Sequence, residues 1–312
     1  MMPPLTPAEL AAADALIDLA LAEDLGDRGD ITSEATIPAH AEVRGTFMAR
    51  QPGVIAGLPV AARLAERMGF RSTAERGPDG AFWPMRPDGS RTESTRGLVA
   101  GISGPMRKVL AFERTALNFL QHLSGVATLT ARFVDAVAGT KATILDTRKT
   151  LPGWRLLEKY AVRCGGGRNH RVGLYDAVLI KDNHLTYFVH RGDPIAAAVS
   201  AARAHASPGT TIEVEVDSLD QLDKALCCGP DIILVDNFDL DRLREAIRRR
   251  DAVAPGIPLE ASGGVKLETV RAIAETGVDR ISVGALTHSA PAFDIGLDFT
   301  DEPPAGFVFP TP

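Results

Sequence analysis

Residues 211–250 read TIEVEVDSLDQLDKALCCGPDIILVDNFDLDRLREAIRRR. Two short runs rich in Ile and Val, at 212–216 and 231–235, each lead into a longer amphipathic segment. SLDQLDKALCC opens with Ser218 and Gln221 in capping-box spacing. DLDRLREAIRRR places Leu240, Leu243 and Ile247 at helical spacing. Strand alternating with helix implies parallel β-strands joined by crossover helices.

The same unit recurs on both sides. Apolar runs stand at 142–146, 177–181, 212–216, 231–235, 257–261 and 279–283. A third helix, KLETVRAIAETG, closes on Gly277 as a C-cap. Six such units predict an α/β barrel, incomplete beside the eight-stranded form, with a doubly wound open sheet as the alternative. The barrel is expected over 124–289.

The first 123 residues read differently, as a separate α+β sandwich domain. The pattern predicts a helix over 8–24, strands around a Pro-Gly turn in VRGTFMARQPGVIAG, and a long helix in PMRKVLAFERTALNFLQHLSG. Residues 71–97, rich in Gly, Pro, Ser and charge, read as a surface loop or long hairpin.

The chain has 312 residues, 45% hydrophobic and 24% charged, the composition of a soluble globular protein. No apolar run approaches the ~20 residues that span a bilayer, so no membrane partner is expected. The N-terminus lacks the basic start of a signal peptide. Three cysteines without a spaced framework (Cys164, Cys227, Cys228) point to a reducing, cytoplasmic setting, with Cys164 packed rather than nucleophilic.

Charge is unevenly spread. Net charge is -6, yet eight Lys or Arg face two acids between Arg148 and Lys181. A local cationic concentration on an acidic chain suggests an anionic ligand and not nucleic acid. In α/β barrels the active site forms at the C-terminal strand ends. Those ends carry Asp146-Thr147-Arg148-Lys149, Lys181-Asp182, Glu215-Val216-Asp217, Asp236-Asn237, Ser262-Gly263-Gly264 and Gly284-Ala285.

Each end has its own chemistry. Ser262, Gly263 and Gly284 suit a phosphate approaching backbone N–H groups, with His288 as a further donor. Glu215 and Asp236 can hold ribose hydroxyls and a Mg²⁺ shell, or pair with Lys181 or Lys149. Glu213 should face the same side as Glu215, and its role is ambiguous. Asp217 and Asp239 read as helix starts. Arg148 can grip a carboxylate through two parallel hydrogen bonds, and His170 and Arg171 add donors. Lys149 and Lys181 suit phosphate. Arg155, Lys159 and Arg163 read as surface or support charges, and Gly165–Gly167 as a flexible turn, because no GxxxxGK[ST] spacing is present.

TRKTLPGWRLLEKYAVRCGGGRNHR followed by LIKDNH, with LAEDLGDRGDITSEATIP, ERTALNFLQHLSGVAT, EVEVDSLDQL, ILVDNF, LEASGGV and ISVGALTHS, resembles the quinolinate phosphoribosyltransferase family, type II phosphoribosyltransferases. The similar molybdenum-transport-associated homologue, acting on another aromatic acid, is the alternative; it lacks the full LEKYAVRCGGGxNHR and LIKDNH wording.

The resemblance implies transfer of a phosphoribosyl group from phosphoribosyl pyrophosphate to quinolinate with loss of CO₂. That is the carboxylating nicotinate-nucleotide pyrophosphorylase reaction (EC 2.4.2.19, a pentosyltransferase) of de novo NAD biosynthesis. It implies Mg²⁺ and no organic cofactor, and a homodimer or larger homo-oligomer with shared active sites. Lys149, Lys181, Glu215 and Asp236 become the catalytic set, with the last two holding the metal, through water. Thr147, Arg148, His170 and Arg171 become the substrate-binding set, joined by Arg114 of ERTALN from the partner subunit. Ser262, Gly263, Gly284 and His288 become the phosphate set. It also implies that residues 290–312 pack back on the N-terminal domain.

Overall fold

The computed structural model describes residues 5–71, 81–84, 86, 88–92, 97–190 and 192–299. They divide into two compact units. The first takes the described residues up to Leu129, then Leu151–Gly166 and those from Ser289 onward; the second takes Thr130–Thr150 and Gly167–His288. Residues 151–166 thus fall with the N-terminal unit, although they lie inside the expected 124–289 segment.

The chain opens with α1 (Pro7–Leu25), α2 (Ile31–Thr36), β1 (Glu42–Ala49), β2 (Gly53–Val54) and α3 (Leu58–Arg67). Next come β3 (Ala81–Pro84), β4 (Arg91–Thr92), β5 (Gly97–Pro105), α4 (Met106–Ala136), β6 (Thr143–Leu145) and α5 (Arg155–Cys164). Alternation then sets in: β7 (Val178–Ile180), α6 (Asp182–Leu185), α7 (Pro194–His205), β8 (Ile212–Val216), α8 (Leu219–Cys228) and β9 (Ile232–Asp236). It ends with α9 (Leu240–Val253), β10 (Leu259–Ser262), α10 (Leu267–Glu275), β11 (Arg280–Ser282), α11 (Ala285–His288) and β12 (Ile295–Phe299).

In the first unit the sheet order is β12-β1-β5-β3, all antiparallel. One face of it carries Phe47 and Phe82, which meet Phe112 of α4 with ring centroids 6.2 and 5.4 Å apart. Phe70 adds a fourth ring, 5.5 Å from Phe112. All four are buried, and such tilted and edge-on pairs make a compact apolar core. This is the helix-on-sheet sandwich expected from the sequence. Of the segment 71–97, residues 72–80, 85, 87 and 93–96 lie outside the described residues. Among the described residues of this segment, β3 pairs with β5 and β4 with β2.

Two expectations change here. Helix α4 was expected to end at Gly125, but it runs on to Ala136. A Cβ at Gly125 would lie 2.2 Å from the Pro291 carbonyl, so glycine there permits a close backbone approach and is no stop signal. Of the two readings of Lys159, surface or support charge, its 1% exposure removes the surface one. Its neighbour Arg163 pairs with the nearly buried Glu9 at 2.7 Å.

In the second unit six parallel strands lie in the order β6-β11-β10-β9-β8-β7. All but β6 follow chain order, so this is the sheet of an α/β barrel that opens between its first and second strands. At the open β6 edge, Arg168 forms a parallel bridge to Leu145. The N-terminal strand ends are clamped by aspartates. Asp231 accepts the Ile212 N–H at 2.7 Å and a two-pronged grip from Arg203. Asp279 accepts the Leu259 N–H at 2.9 Å and pairs with buried Arg250 at 2.8 Å. These clamps hold the register and leave the opposite strand ends to the site.

Candidate active site

The C-terminal strand ends of the second unit enclose a cleft of about 420 Å³. Thr147, Arg148 and Lys149 enter it from the loop after β6, and Lys181 from the end of β7. Glu215 reaches it from β8, Asp236 from β9, Ser262 from β10 and Ser282 from β11. His170 and Arg171 complete the lining beside the β6 edge. One cleft therefore gathers four Lys or Arg side chains with the carboxylates Glu215, Asp236 and Glu260.

The loop after β6 is built on Asp146, which is fully buried. Its carboxylate accepts the His170 backbone N–H at 2.8 Å and the Asn169 side-chain amide at 2.7 Å. Segment 169–171 is thereby pinned against β6, whose Leu145 it already flanks. The Arg171 backbone N–H donates to His170 Nδ1 at 2.8 Å, and its guanidinium donates to the Ala177 carbonyl at 3.1 Å. Burial, and next the neighbouring Arg148 charge, hold the Arg171 guanidinium below its usual pKa. Two guanidinium groups crowded in this way are a receptor for a polyanion.

On the facing strands Lys181 Nζ donates to Glu215 Oε2 at 2.5 Å. The pairing weighed from the sequence is thus present, and Glu215 still lines the cleft. Asp236 accepts from the Asn237 side-chain amide at 2.7 Å. Asn237 sits in the left-handed region, with φ 55°, and its backbone N–H donates to the Ser262 carbonyl. Gly263 follows at φ 91°, where a Cβ would meet Asn237 Oδ1 at 2.2 Å. The ends of β9 and β10 are therefore interlocked at a position that only glycine fills.

The β6 and β11 loops are tied in the same way. Thr287 donates to the Lys149 carbonyl at 2.6 Å. At Gly284 a Cβ would come within 3.2 Å of the Lys149 side chain and 3.1 Å of His288 Nε2. Gly284, Lys149 and His288 are thus neighbours, as a phosphate site requires, and His288 is exposed. Arg114 lies exposed on α4 in the first unit and is not among the residues that line the cleft.

Sequence reasoning missed the floor of the site. Glu260 and Ser282 line the cleft, and neither was singled out. The period of two along β10 carries the signal, because it puts Glu260 on the same face as Ser262. Glu213, left ambiguous, ends 2.9 Å from His170 Nε2, with Glu260 at 3.6 Å. Burial lowers the His170 pKa, but the hydrogen bond and charge of Glu213, with Glu260, outweigh it and raise the value above the ordinary one. The Arg171 N–H aimed at Nδ1 opposes a second ring proton. Burial, then Glu213, push the Glu260 carboxyl above the usual carboxylate range.

Comparison with known proteins adds an independent line. The model of the quinolinate phosphoribosyl transferase C-terminal domain matches residues 126–298, and that of the N-terminal domain matches residues 30–124. A nicotinate-nucleotide pyrophosphorylase [carboxylating] from Mycobacterium leprae is 48% identical over 94% of this chain and 99% of its own length. A chloroplastic enzyme of the same name from Arabidopsis thaliana is 39% identical over 92% of this chain and 83% of its own. The solved nicotinate-nucleotide pyrophosphorylase from Francisella tularensis superposes with a TM-score of 0.81 at 35% identity, covering 93% of this chain and 96% of that one.

Proposed function

The chain belongs to the quinolinate phosphoribosyltransferase family, and from that premise we propose how its own residues carry the reaction. It is an enzyme of de novo NAD biosynthesis, a carboxylating pentosyltransferase that joins quinolinate to phosphoribosyl pyrophosphate and releases pyrophosphate and CO₂. The observation that carries the residue assignment is the cleft itself: four Lys or Arg side chains and three carboxylates, Glu215, Asp236 and Glu260, in one barrel.

Quinolinate is a dianion, and Arg148 and Arg171 are placed to grip its carboxylates, with Thr147 beside them. Arg114 from a partner subunit joins them in an oligomer of shared sites. His170 lines the same cleft beside the quinolinate carboxylates, and its ring also holds Arg171. The 5′-phosphate rests on the Ser262–Gly263 and Gly284 backbone, near His288. Glu215 and Asp236 orient the ribose.

The pyridine nitrogen then donates its lone pair to carbon 1 of the ribose as the bond to pyrophosphate breaks. Lys149 and Lys181 receive the charge of the leaving pyrophosphate. The carbon passes through oxocarbenium character, which Glu215 and Asp236 favour electrostatically. The ring nitrogen, now cationic, stabilises the electron pair left at carbon 2 when its carboxylate departs as CO₂, and solvent returns a proton there. Positioning and charge placement carry the rate, with no covalent intermediate on the enzyme.

Magnesium fits the donor set. Glu215 and Asp236 each have one oxygen engaged among the described residues, by Lys181 and Asn237, which leaves one for a hydrated, oxygen-seeking cation. Bound there, Mg²⁺ would supply charge neutralisation to the pyrophosphate. No helix of the described residues is long and apolar enough to cross a membrane, and we propose a cytoplasmic setting.

The test is to incubate the purified protein with quinolinate, phosphoribosyl pyrophosphate and Mg²⁺ and to follow nicotinate mononucleotide and CO₂ together. Matched production, absent when either substrate is withheld, is the expected result. Folded protein that binds phosphoribosyl pyrophosphate and makes neither product would sink quinolinate as the substrate.

A further inference from the structure

The reaction as assigned leaves two buried carboxylates on the barrel strands, Glu213 and Glu260, without a part. Glu213 on β8 is 3% exposed and Glu260 on β10 is fully buried. Ionised groups are retained in an interior only where partners offset the loss of water. Glu213 Oε2 lies 2.9 Å from His170 Nε2. Glu260 Oε1 lies 3.6 Å from the same nitrogen, and its Oε2 accepts from Arg280 Nε at 2.7 Å. The donor atoms of His170, Glu213 and Glu260 fall within 4.8 Å of one another, close enough to bracket a cation. Arg280 on β11 already neutralises Glu260, and the ring nitrogen facing the acids is spent as a donor to Glu213.

The other ring nitrogen settles the direction of the argument. His170 Nδ1 accepts the Arg171 backbone N–H at 2.8 Å. A nitrogen that accepts carries no proton, so the neutral ring has its hydrogen on Nε2, pointed at Glu213. The imidazole is therefore a rigid spacer between the barrel interior and the Arg171 backbone. Its side chain is 9% exposed, and what shows lies on the cleft. Asp146 holds the same segment through the His170 backbone N–H.

We propose that Glu213, supported by the Glu260–Arg280 pair, is a positioning residue that acts through the His170 ring to set Arg171 in the anion-binding cleft. His170 lines the same cleft, so the relay fixes its ring as well as Arg171. The substrate's identity rests on the function proposed above; the geometry of the relay does not.

The experiment compares Glu213→Ala with Glu213→Gln, whose amide oxygen still accepts from Nε2–H. The expected result for Glu213→Ala is a rise in KM for quinolinate of at least tenfold on the scale of a lost, buried charge-assisted hydrogen bond. KM for phosphoribosyl pyrophosphate and kcat stay within about threefold, as expected when ground-state binding alone is lost. Glu213→Gln recovers most of the deficit. Equal losses in both variants, or equal effects on both substrates, would overturn the proposal.

A second readout needs neither turnover nor a folded alanine variant. Nitrogen-15 spectra of histidine-labelled wild-type protein should show the His170 proton on Nε2, with Nδ1 bare, and Glu213→Gln should shift the Nε2–H signal. A proton found on Nδ1, or a signal indifferent to Glu213→Gln, would overturn the relay. If the wild-type protein turns over no quinolinate, the functional assignment fails, and the spectra still decide the relay.

Discussion

Arg148 and Lys149 are adjacent, yet their chemistry separates them. A guanidinium matches a carboxylate with two parallel hydrogen bonds, whereas an ammonium is a point charge suited to phosphate. Arg148→Ala is expected to raise KM for quinolinate on the order of a hundredfold, the cost of a charge-assisted pair of bonds, and to change KM for phosphoribosyl pyrophosphate little. Steady-state kinetics with each substrate varied decides it, and an equal loss in both would contradict the assignment. Asp88 shows the same sensitivity to surroundings outside the cleft. It accepts from the Gly57 and Leu58 N–H groups and from the Tyr160 hydroxyl. Burial nonetheless pushes its carboxyl from the ordinary 3.8 up to about 6. The folded value lies above the unfolded one, so the stability it contributes is full below pH 3.8 and is lost as pH rises through about 6. A shift of this size is worth on the order of 3 kcal/mol. Denaturant titrations should therefore show the wild type losing about that much stability relative to Asp88→Asn between pH 4 and pH 7. A gap that stays constant with pH would refute it.

At the scale of elements, capping and close approach decide more than propensity. Ser218 caps α8 as its spacing predicts, accepting the Gln221 N–H at 3.4 Å. Asp239 caps α9 in the same manner. Both starts are legible because an N-cap is a local event. Helix α4 is the contrary case. Alanine is favoured over glycine by about 1 kcal/mol in a helix interior. At Gly125 the sign reverses, because the Pro291 carbonyl stands 2.2 Å from where the Cβ would go. Gly125→Ala is expected to lower the melting temperature, and a rise would show that the backbone yields there at no cost. Local pattern reads such a glycine as a stop, since nothing nearby in sequence announces a contact 166 residues away.

At the scale of the whole molecule, an acidic chain of net charge -6 concentrates cations at one set of strand ends. The shared site proposed for Arg114 belongs here too, because it joins two copies of the chain. Mixing Arg114→Ala subunits with Lys181→Ala subunits should recover up to about a quarter of wild-type activity per site when subunits pair at random with additive, independent sites. Confirmed mixed oligomers with no activity would count against a shared site.

The alternation of Ile- and Val-rich runs with capped amphipathic segments determined the six strands and the helices between them, because periodicity and caps act over a few residues. The strand-end rule of α/β barrels then placed Arg148, Lys149, Lys181, Glu215 and Asp236 at one end, as the cleft confirms. Tertiary structure alone decided the rest: that α4 continues past Gly125, that Lys159 is buried, and that residues 151–166 fall with the first unit. It also decided that Glu213 and Glu260 meet at His170. The physical reason is common to all four. Each depends on which distant backbone or side chain arrives within a few ångströms, and hydrophobic periodicity specifies the face a residue occupies without specifying what it will meet there.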